Sequence, residues 1–202
     1  AALKPEELPE FLRRLEDYQG HRLTYLGMRF VIYTFVRTSE LRLAEWKEFE
    51  LKSANPVWNI PAERMKMRRE HLVPLSKQAV QILQQVAEIS GGERLVFPSQ
   101  NNPNKPMSEN TLLFAIYRMG YHSRATTHGF RSVASTILNE SEKWHPDAIE
   151  RQLAHVESNK VRAAYDRAEH LPERRRMMQW WAEHIDSLKQ PADVIDLKQH
   201  RA

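Results

Sequence analysis

The segment over residues 23–36 constrains the fold of this 202-residue chain more than any other feature. Apolar side chains occur on nearly all sides of the helix that this segment would form, and the largest are Leu26, Phe30, Val31, Tyr33 and Phe35. A helix that is apolar all round is stable in water only when other elements cover it. The sequence therefore predicts a central helix inside a packed domain.

Composition limits the class of protein. Hydrophobic residues make up 41% of the chain and charged residues 28%, which is usual for soluble globular domains. The absence of cysteine excludes disulfides and thiolate metal sites, and a reducing cytoplasm is the expected location. No apolar run approaches the roughly 20 residues of a membrane helix, and no secretion signal opens the chain, so no membrane association is expected.

Charge is compatible with binding to nucleic acid without establishing it. The chain has 30 Lys and Arg against 26 Asp and Glu, a formal net charge of +4. Cations concentrate in two runs, at residues 64–69 and 174–176. Because solvated faces explain most such runs, each run alone is weak evidence for phosphate contact.

Periodicity predicts a mostly helical chain with one interruption. Helices are expected over residues 8–15, 23–36, 40–46, 76–89, 108–119, 128–139, 145–154, 159–165 and 172–188, with Thr38 or Ser39, Ser108 and Thr127 among the N-caps. Residues 49–51, 57–60 and 71–73 favour strands, which indicates a small antiparallel sheet. Residues 98–106 are expected to form a polar loop, and residues 189–202 a polar, mobile tail.

The predicted helix that starts at His128 carries chemistry at its N-terminus. His128 and Arg131 are three residues apart, away from the apolar stripe of this helix, and are therefore neighbours. A His and an Arg at a helix N-terminus can hold an anion, although a solvated polar face is an alternative for this helix taken alone. Arg37 ends the central helix, where Glu40 can orient it, and Leu153-Ala154-His155 precedes Tyr165.

Together these segments resemble the tyrosine recombinase family, and phage integrases in particular. The family motifs are similar to the segment around Arg37 at residues 34–41, to Lys66 before the strand His71-Leu72-Val73, to His128-Gly129-Phe130-Arg131, to Leu153-Ala154-His155 and to Tyr165. The match covers residues 3–188, and five motifs in the family's order are far more specific than any one of them. The family often has Gly where Phe35 and Ala154 stand.

The resemblance implies a fold and an activity. The fold is mainly α with a small three-stranded antiparallel sheet, formed by a catalytic domain over residues 1–188. The activity is site-specific recombination, in which DNA is cleaved and rejoined through a 3′-phosphotyrosine. The implied catalytic residues are Arg37, Lys66, His128, Arg131, His155 and Tyr165. The two arginines and His155 would bind the phosphate, His128 would bind it or take the tyrosine proton, and Lys66 would protonate the leaving oxygen.

The resemblance also implies partners. Double-stranded DNA attachment sites are the expected substrate, with a homotetramer on DNA and accessory proteins that bend DNA or set direction. The last predicted helix has an apolar face for its own domain or a neighbouring protomer, formed by Met177, Trp181, Ile185 and Leu188. No cofactor and no metal are expected, because the sequence lacks a Gly-rich phosphate loop and a His-Glu-x-x-His pair. The family's N-terminal arm-binding and core-binding domains are expected to be absent.

Other functions remain open at this level. A type IB topoisomerase uses similar Arg, Lys, His and Tyr chemistry, but the His128 box and the long helix after Tyr165 favour a recombinase. A DNA-binding relative without catalysis would not need the full set of six residues. A helical structural protein with solvated basic runs is a third alternative, which a plasmid-nicking assay would separate from the enzymes.

Overall fold

The central helix that the sequence predicts is α2 (Arg22–Thr34) of the computed structural model, which describes residues 1–65, 68–155 and 170–189. All of its 13 residues are buried except Arg22 and Arg29. It packs against the helices Lys77–Ser90, Thr111–Ile116 and Leu171–Lys189. Burial on every side is what a helix with an apolar surface all round requires, so the first prediction is confirmed.

The other described helices follow the predicted order. They are α1 (Leu8–Glu16), α3 (Thr38–Arg42), α4 (Lys77–Ser90), α5 (Thr111–Ile116), α6 (Gly129–Glu140), α7 (Pro146–Gln152) and α8 (Leu171–Lys189). A π-helical stretch, Tyr117–Tyr121, follows α5. The predicted helix over residues 159–165 lies outside the described residues. None of the described helices has both the length and the hydropathy to cross a bilayer.

Three short strands form the predicted sheet. Strands β1 (Phe49–Glu50), β2 (Val57–Ile60) and β3 (His71–Pro74) are antiparallel in the order β1-β2-β3. Trp58 lies opposite both Phe49 and Val73, is fully buried, and stacks on the Phe49 ring at 4.9 Å. The mainly helical fold with a three-stranded antiparallel sheet is therefore confirmed.

A second pair of strands was not predicted. Strand β4 (Pro98–Ser99) pairs with β5 (Asn102–Pro106) in the segment expected to be a polar loop. Asn, Lys and Pro have low strand propensity, so the local sequence gives no signal for β5. The pairing is continued by the neighbouring backbone, where the Met107 N–H donates to the Phe97 carbonyl at 2.9 Å.

The N-terminus of α6 differs from the prediction by one residue. His128, rather than Thr127, is the N-cap of α6, and the Thr126 hydroxyl accepts a hydrogen bond from the Gly129 N–H at 3.0 Å. The Thr127 hydroxyl instead accepts from the Thr38 hydroxyl at 2.7 Å. This bond joins the start of α6 to the start of α3. The predicted Ser108 cap is also displaced, since α5 begins at Thr111.

Helix α8 packs on its own domain. Met177, Trp181 and Ile185 are at most 2% exposed, and the Trp181 indole N–H donates to the Ile32 carbonyl at 2.9 Å. At the end of the helix, Lys189 donates to the Tyr33 hydroxyl at 2.8 Å. Of the two alternatives for this apolar face, the structure selects intramolecular packing. Trp181 is therefore a core residue and does not form a free docking surface.

Candidate functional site

Arg37 is positioned by the turn between α2 and α3. Phe35 is the C-cap of α2, with a φ of 40° in the left-handed region, and Arg37 is the N-cap of α3. The Glu40 carboxylate accepts from the Arg37 backbone N–H at 2.8 Å and from its guanidinium at 2.7 Å. The prediction that Thr38 or Ser39 caps α3 is wrong, because Glu40 reaches back to the residue before them. The prediction that Glu40 orients Arg37 is confirmed.

Arg131 lies in the first turn of α6 and is only 3% exposed. Its guanidinium donates to the Phe35 carbonyl at 2.5 Å and to the Leu153 carbonyl, and its buried Nε has no hydrogen-bond partner in the described part of the chain. No carboxylate among the described residues pairs with it. Burial, reinforced by the nearby Arg37, lowers the pKa of Arg131 to about 10. At neutral pH the guanidinium is still a cation, although burial and the charge of Arg37 make this environment unfavourable for a cation.

The turn that follows α7 joins the two arginines. Ala154 has a φ of 48°, and its carbonyl accepts from the Arg37 guanidinium at 3.3 Å, while the preceding Leu153 carbonyl accepts from Arg131. Phe35 and Ala154, the positions where the family often has Gly, are therefore both left-handed residues. Each offers a backbone carbonyl to a predicted catalytic arginine. Glycine suits such positions because a Cβ atom is strained there.

Two histidines lie beside the arginines. His155 follows the α7 turn, and its Nδ1 is 2.8 Å from a Glu150 carboxylate oxygen. His128 is the N-cap of α6, and burial, together with the charges of Arg131 and Arg37, lowers its pKa from the ordinary value. His128 is therefore neutral at neutral pH. A neutral imidazole has one nitrogen that can accept a proton and one that can donate a hydrogen bond.

The structure brings four of the six predicted site residues together. Arg37, His128, Arg131 and His155 come from three separate segments that meet at the starts of α3 and α6 and at the end of α7. Lys66 lies in the β2–β3 connection and Tyr165 between α7 and α8 along the chain, and both lie outside the described residues. Their placement in this site stays a prediction.

The first arginine of the basic run at residues 64–69 packs against the protein and is largely shielded from solvent. Arg64 donates to the carbonyls of Leu43 and Glu40, and its guanidinium is 3.2 Å from the Glu48 carboxylate. Its side chain is 17% exposed. Arg64 therefore anchors the β2–β3 connection to α3 and its neighbours.

Sequence reasoning missed two buried polar residues next to the site. His71, at the start of β3, is 3% exposed, and burial and the charge of Arg174 lower its pKa to about 3. Arg174 is fully buried in the first turn of α8, although a run of three arginines is more typical of a surface. Its helical spacing to Met177, Met178 and Trp181 was the signal that could have placed it on the buried face.

Comparison with solved structures identifies the fold as that of tyrosine recombinase catalytic domains. The chain superposes on the XerH site-specific recombinase bound to its difH substrate with a TM-score of 0.63 and 17% identity, covering 80% of this chain and 49% of that one. It superposes on the integrase of mycobacterium phage Brujita with a TM-score of 0.64 and 13% identity, covering 95% and 63%.

Sequence comparison places the chain in one family. The phage integrase family model matches residues 1–170, and the chain belongs to that family. It is 47% identical over 200 residues to the integrase of enterobacteria phage P4, covering 92% of this chain and 45% of that protein. It is 41% identical over 194 residues to prophage integrase IntA of Escherichia coli K12, covering 96% and 46%. The chain spans about half the length of these curated relatives.

Proposed function

We propose that the chain is the catalytic part of a site-specific DNA recombinase that integrates or excises a mobile element through a 3′-phosphotyrosine at Tyr165. The observation that carries this proposal is the pair of arginines at the α7 turn. Arg131 is buried, charged and without a carboxylate partner in the described part of the chain, and Arg37 lies beside it. A phosphodiester supplies the missing negative charge and the oxygen geometry that guanidinium groups match.

The arginines suit the charge that develops in the reaction. Attack on a phosphodiester increases the negative charge of its non-bridging oxygens, and fixed donors that meet this charge are commonly the largest catalytic term. Arg37 and Arg131 are each held by backbone carbonyls on other segments, so their positions are set before DNA binds. Such preorganisation lets the donors act without rearranging during the reaction.

The other residues complete the chemistry. Glu150 holds one ring nitrogen of His155, which leaves the other for a phosphate oxygen. The Tyr165 oxygen forms a bond to phosphorus as the bond from phosphorus to the 5′ oxygen breaks. His128 accepts the tyrosine proton or binds the phosphate, and Lys66 protonates the departing 5′ oxygen. A 5′-hydroxyl of another strand then attacks phosphorus and releases Tyr165, so no external energy source is needed.

Relatives support DNA as the partner. The solved structures similar to this chain include XerH with its difH substrate and the Tn1549 transposon integrase with circular intermediate DNA, the latter at a TM-score of 0.57 and 16% identity. We extend this to double-stranded attachment sites, a homotetramer on DNA, accessory proteins and a cytoplasmic location for the present chain. Membership of the phage integrase family favours this function over a type IB topoisomerase.

Covalent capture tests the proposed function and selects the DNA site in the same experiment. The chain is mixed with end-labelled, nicked duplexes that carry a randomised central segment, and adducts are isolated under denaturing conditions and sequenced. We expect an adduct with the chain, none with Tyr165→Phe despite retained binding in native gels, and a normal adduct with the control Tyr117→Phe. An adduct with Tyr165→Phe would show that another residue is the nucleophile.

Recombination separates the integrase from its rivals. Two copies of the captured duplex on one plasmid should be recombined into predictable products. Relaxation of supercoils without exchange would instead favour a topoisomerase, and DNA binding without any adduct would favour a non-catalytic relative.

A further inference from the structure

Arg174, the first arginine of the run at residues 174–176, is fully buried. Its Nε donates to the Gln152 side-chain oxygen at 3.0 Å, and its Nη2 donates to the Leu72 carbonyl. Arginine is almost never fully buried unless it is paired or hydrogen-bonded. This guanidinium therefore connects α8 both to α7 and to β3, the strand that follows the Lys66 connection.

Gln152 is the last residue of α7 and is 2% exposed. Its side-chain nitrogen has no partner among the described residues, whereas its side-chain oxygen accepts from Arg174. The next two residues are Leu153 and Ala154, whose carbonyls accept from Arg131 and Arg37. Three arginines from three elements thus hold three consecutive residues of one turn.

We propose that Arg174 is a positioning residue for DNA cleavage. By holding Gln152 against β3, it fixes the α7 turn. The turn then fixes the Leu153 and Ala154 carbonyls, which orient the guanidinium groups of Arg131 and Arg37, and it also positions His155. Arg174 acts through this turn, because its guanidinium donates to Gln152 and Leu72, neither of which is a residue of the site. The inference rests on the proposed cleavage function.

The geometry sets the expected size of the effect. A guanidinium bonds two acceptors in fixed directions, whereas an ammonium is a point charge on a flexible stem. Without the fork, Gln152 and Leu72 are no longer held at a fixed separation. Misplacement of catalytic groups by about 1 Å can reduce a rate by about 100-fold, even when the mutated residue is remote from the chemistry.

The test compares Arg174 with an arginine of the same run. Arg174→Met, Arg174→Lys and the exposed control Arg176→Met are compared on the captured nicked duplex at saturating protein, with binding measured separately. We expect adduct formation to slow by about 100-fold for Arg174→Met and by a smaller factor for Arg174→Lys, with binding changed less than about twofold. Arg176→Met should react at the rate of the unmodified chain. A normal rate for Arg174→Met would overturn the proposal.

A purely structural role is separated by amplitude. A misfolded population that does not refold during the reaction lowers the amount of adduct but not the rate constant of the folded fraction. A loss of amplitude at an unchanged rate constant would therefore overturn the proposal. Gln152→Met keeps Arg174 and serves as a second variant if Arg174→Met does not fold, and it should slow adduct formation in the same direction.

A substrate with a sulfur leaving group distinguishes an effect of Arg174 through Gln152 from an effect through Leu72. Replacement of the 5′ bridging oxygen by sulfur creates a leaving thiol with a pKa near ~8.5, which departs without a proton donor. If Arg174 acts through the α7 turn, its defect persists on this substrate. Recovery to the rate of the unmodified chain would mean that Arg174 acts through Leu72 on the proposed proton donor, Lys66. That result would overturn the proposal. Failure of the unmodified chain to form any adduct would instead refute the proposed function.

Discussion

The two arginines of the site are held in contrasting ways. Arg37 keeps 29% of its side chain exposed and is paired with the buried Glu40 carboxylate at 2.7 Å. Arg131 is 3% exposed and donates to the backbone carbonyls of Phe35 and Leu153. One charge is neutralised by the protein, and the other is surrounded by neutral dipoles. This difference indicates that Arg131 is the residue whose charge is left for a ligand.

The backbone links the two arginines to each other. The carbonyl that Arg131 binds belongs to Phe35, two residues before Arg37, and the carbonyl that Arg37 binds belongs to Ala154, next to the Leu153 carbonyl that Arg131 also binds. Arg131 is therefore fixed in part by the segment that carries Arg37, and the α7 turn fixes both arginines. Such a site costs folding energy, because a buried cation surrounded by neutral groups is poorly solvated.

The largest expected effect is on cleavage. Arg131→Lys should slow adduct formation on the captured duplex by about 100- to 1000-fold, because an ammonium loses the fork that meets the phosphate. Arg37→Lys should slow it about tenfold less, since its replacement can stay paired with Glu40. Single-turnover rates of the two variants at saturating protein measure the difference. Equal losses would break the proposed contrast between the two arginines.

The second expected effect is on the free energy of unfolding, where substitution of Arg37 should have a larger effect than substitution of Arg131. Arg37→Met leaves the Glu40 carboxylate, which is 5% exposed, without its cation, and should lower the free energy of unfolding by about 3 kcal/mol. Arg131→Met removes a poorly solvated charge along with two hydrogen bonds, and these terms should cancel to within about 1 kcal/mol. Urea unfolding monitored by tryptophan fluorescence compares them. A larger loss for Arg131→Met would contradict the description of Arg131 as electrostatically unfavourable.

The sequence was informative where side chains carry the signal. The apolar segment of α2 and the alternation of β2 and β3 predicted the fold, and Arg37 and Arg131 stood out because each lies at a helix boundary within a recognisable motif. The carbonyl acceptors could not be predicted, because every residue carries the same backbone group. The left-handed backbone at Phe35 was equally hidden, because glycine is the residue that signals this conformation.

The buried arginines could not be predicted from the local sequence either. Arg64 and Arg174 belong to basic runs, and charge runs usually indicate solvent-exposed faces. Their acceptors are Leu43, Glu40, Gln152 and Leu72, which lie between 21 and 102 residues away along the chain. Such partners become neighbours only once the fold is formed.

The third prediction concerns His71, whose pKa is lowered by burial and by the positive charge of the nearby arginines. Its pKa is about 3 in the folded protein, lowered by burial and then by the charges of Arg174, Arg151, Arg131 and Arg37, against an ordinary value of 6.5. Between these values the unfolded chain binds a proton that the folded protein does not. The contribution of His71 to the free energy of unfolding is therefore largest above pH 6.5 and decreases as the pH falls toward 3, by up to about 1.4 kcal/mol per pH unit.

Comparison of unfolding free energies at pH 7 and pH 5 measures this contribution, which should be about 2 kcal/mol for His71. His71→Gln should remove most of it. His184 is the control, since burial alone lowers its pKa and it is less enclosed, so His184→Gln should reduce the pH dependence less. If His71→Gln leaves the pH dependence unchanged, the histidine does not remain neutral beside these arginines.

The smallest effect concerns the backbone that presents the carbonyls. Ala154 adopts a φ of 48°, which costs a residue with a Cβ atom about 1–2 kcal/mol, while glycine loses about 0.5–1 kcal/mol more conformational entropy on folding. Ala154→Gly should therefore raise the free energy of unfolding by roughly 0.5–1 kcal/mol. The rate of adduct formation should stay within about twofold, because the carbonyl that accepts from Arg37 is retained.

Phe35→Gly is the matched control at the other left-handed position. It relieves the same strain, but Phe35 is fully buried and its ring packs against Trp181 at 5.8 Å, so loss of the ring should cost about 3–5 kcal/mol and outweigh the gain. The two substitutions should thus have opposite signs in the same urea titration. If Ala154→Gly is destabilising as well, the Ala154 side chain stabilises the turn by packing, and the strain assigned to its backbone is too small to matter.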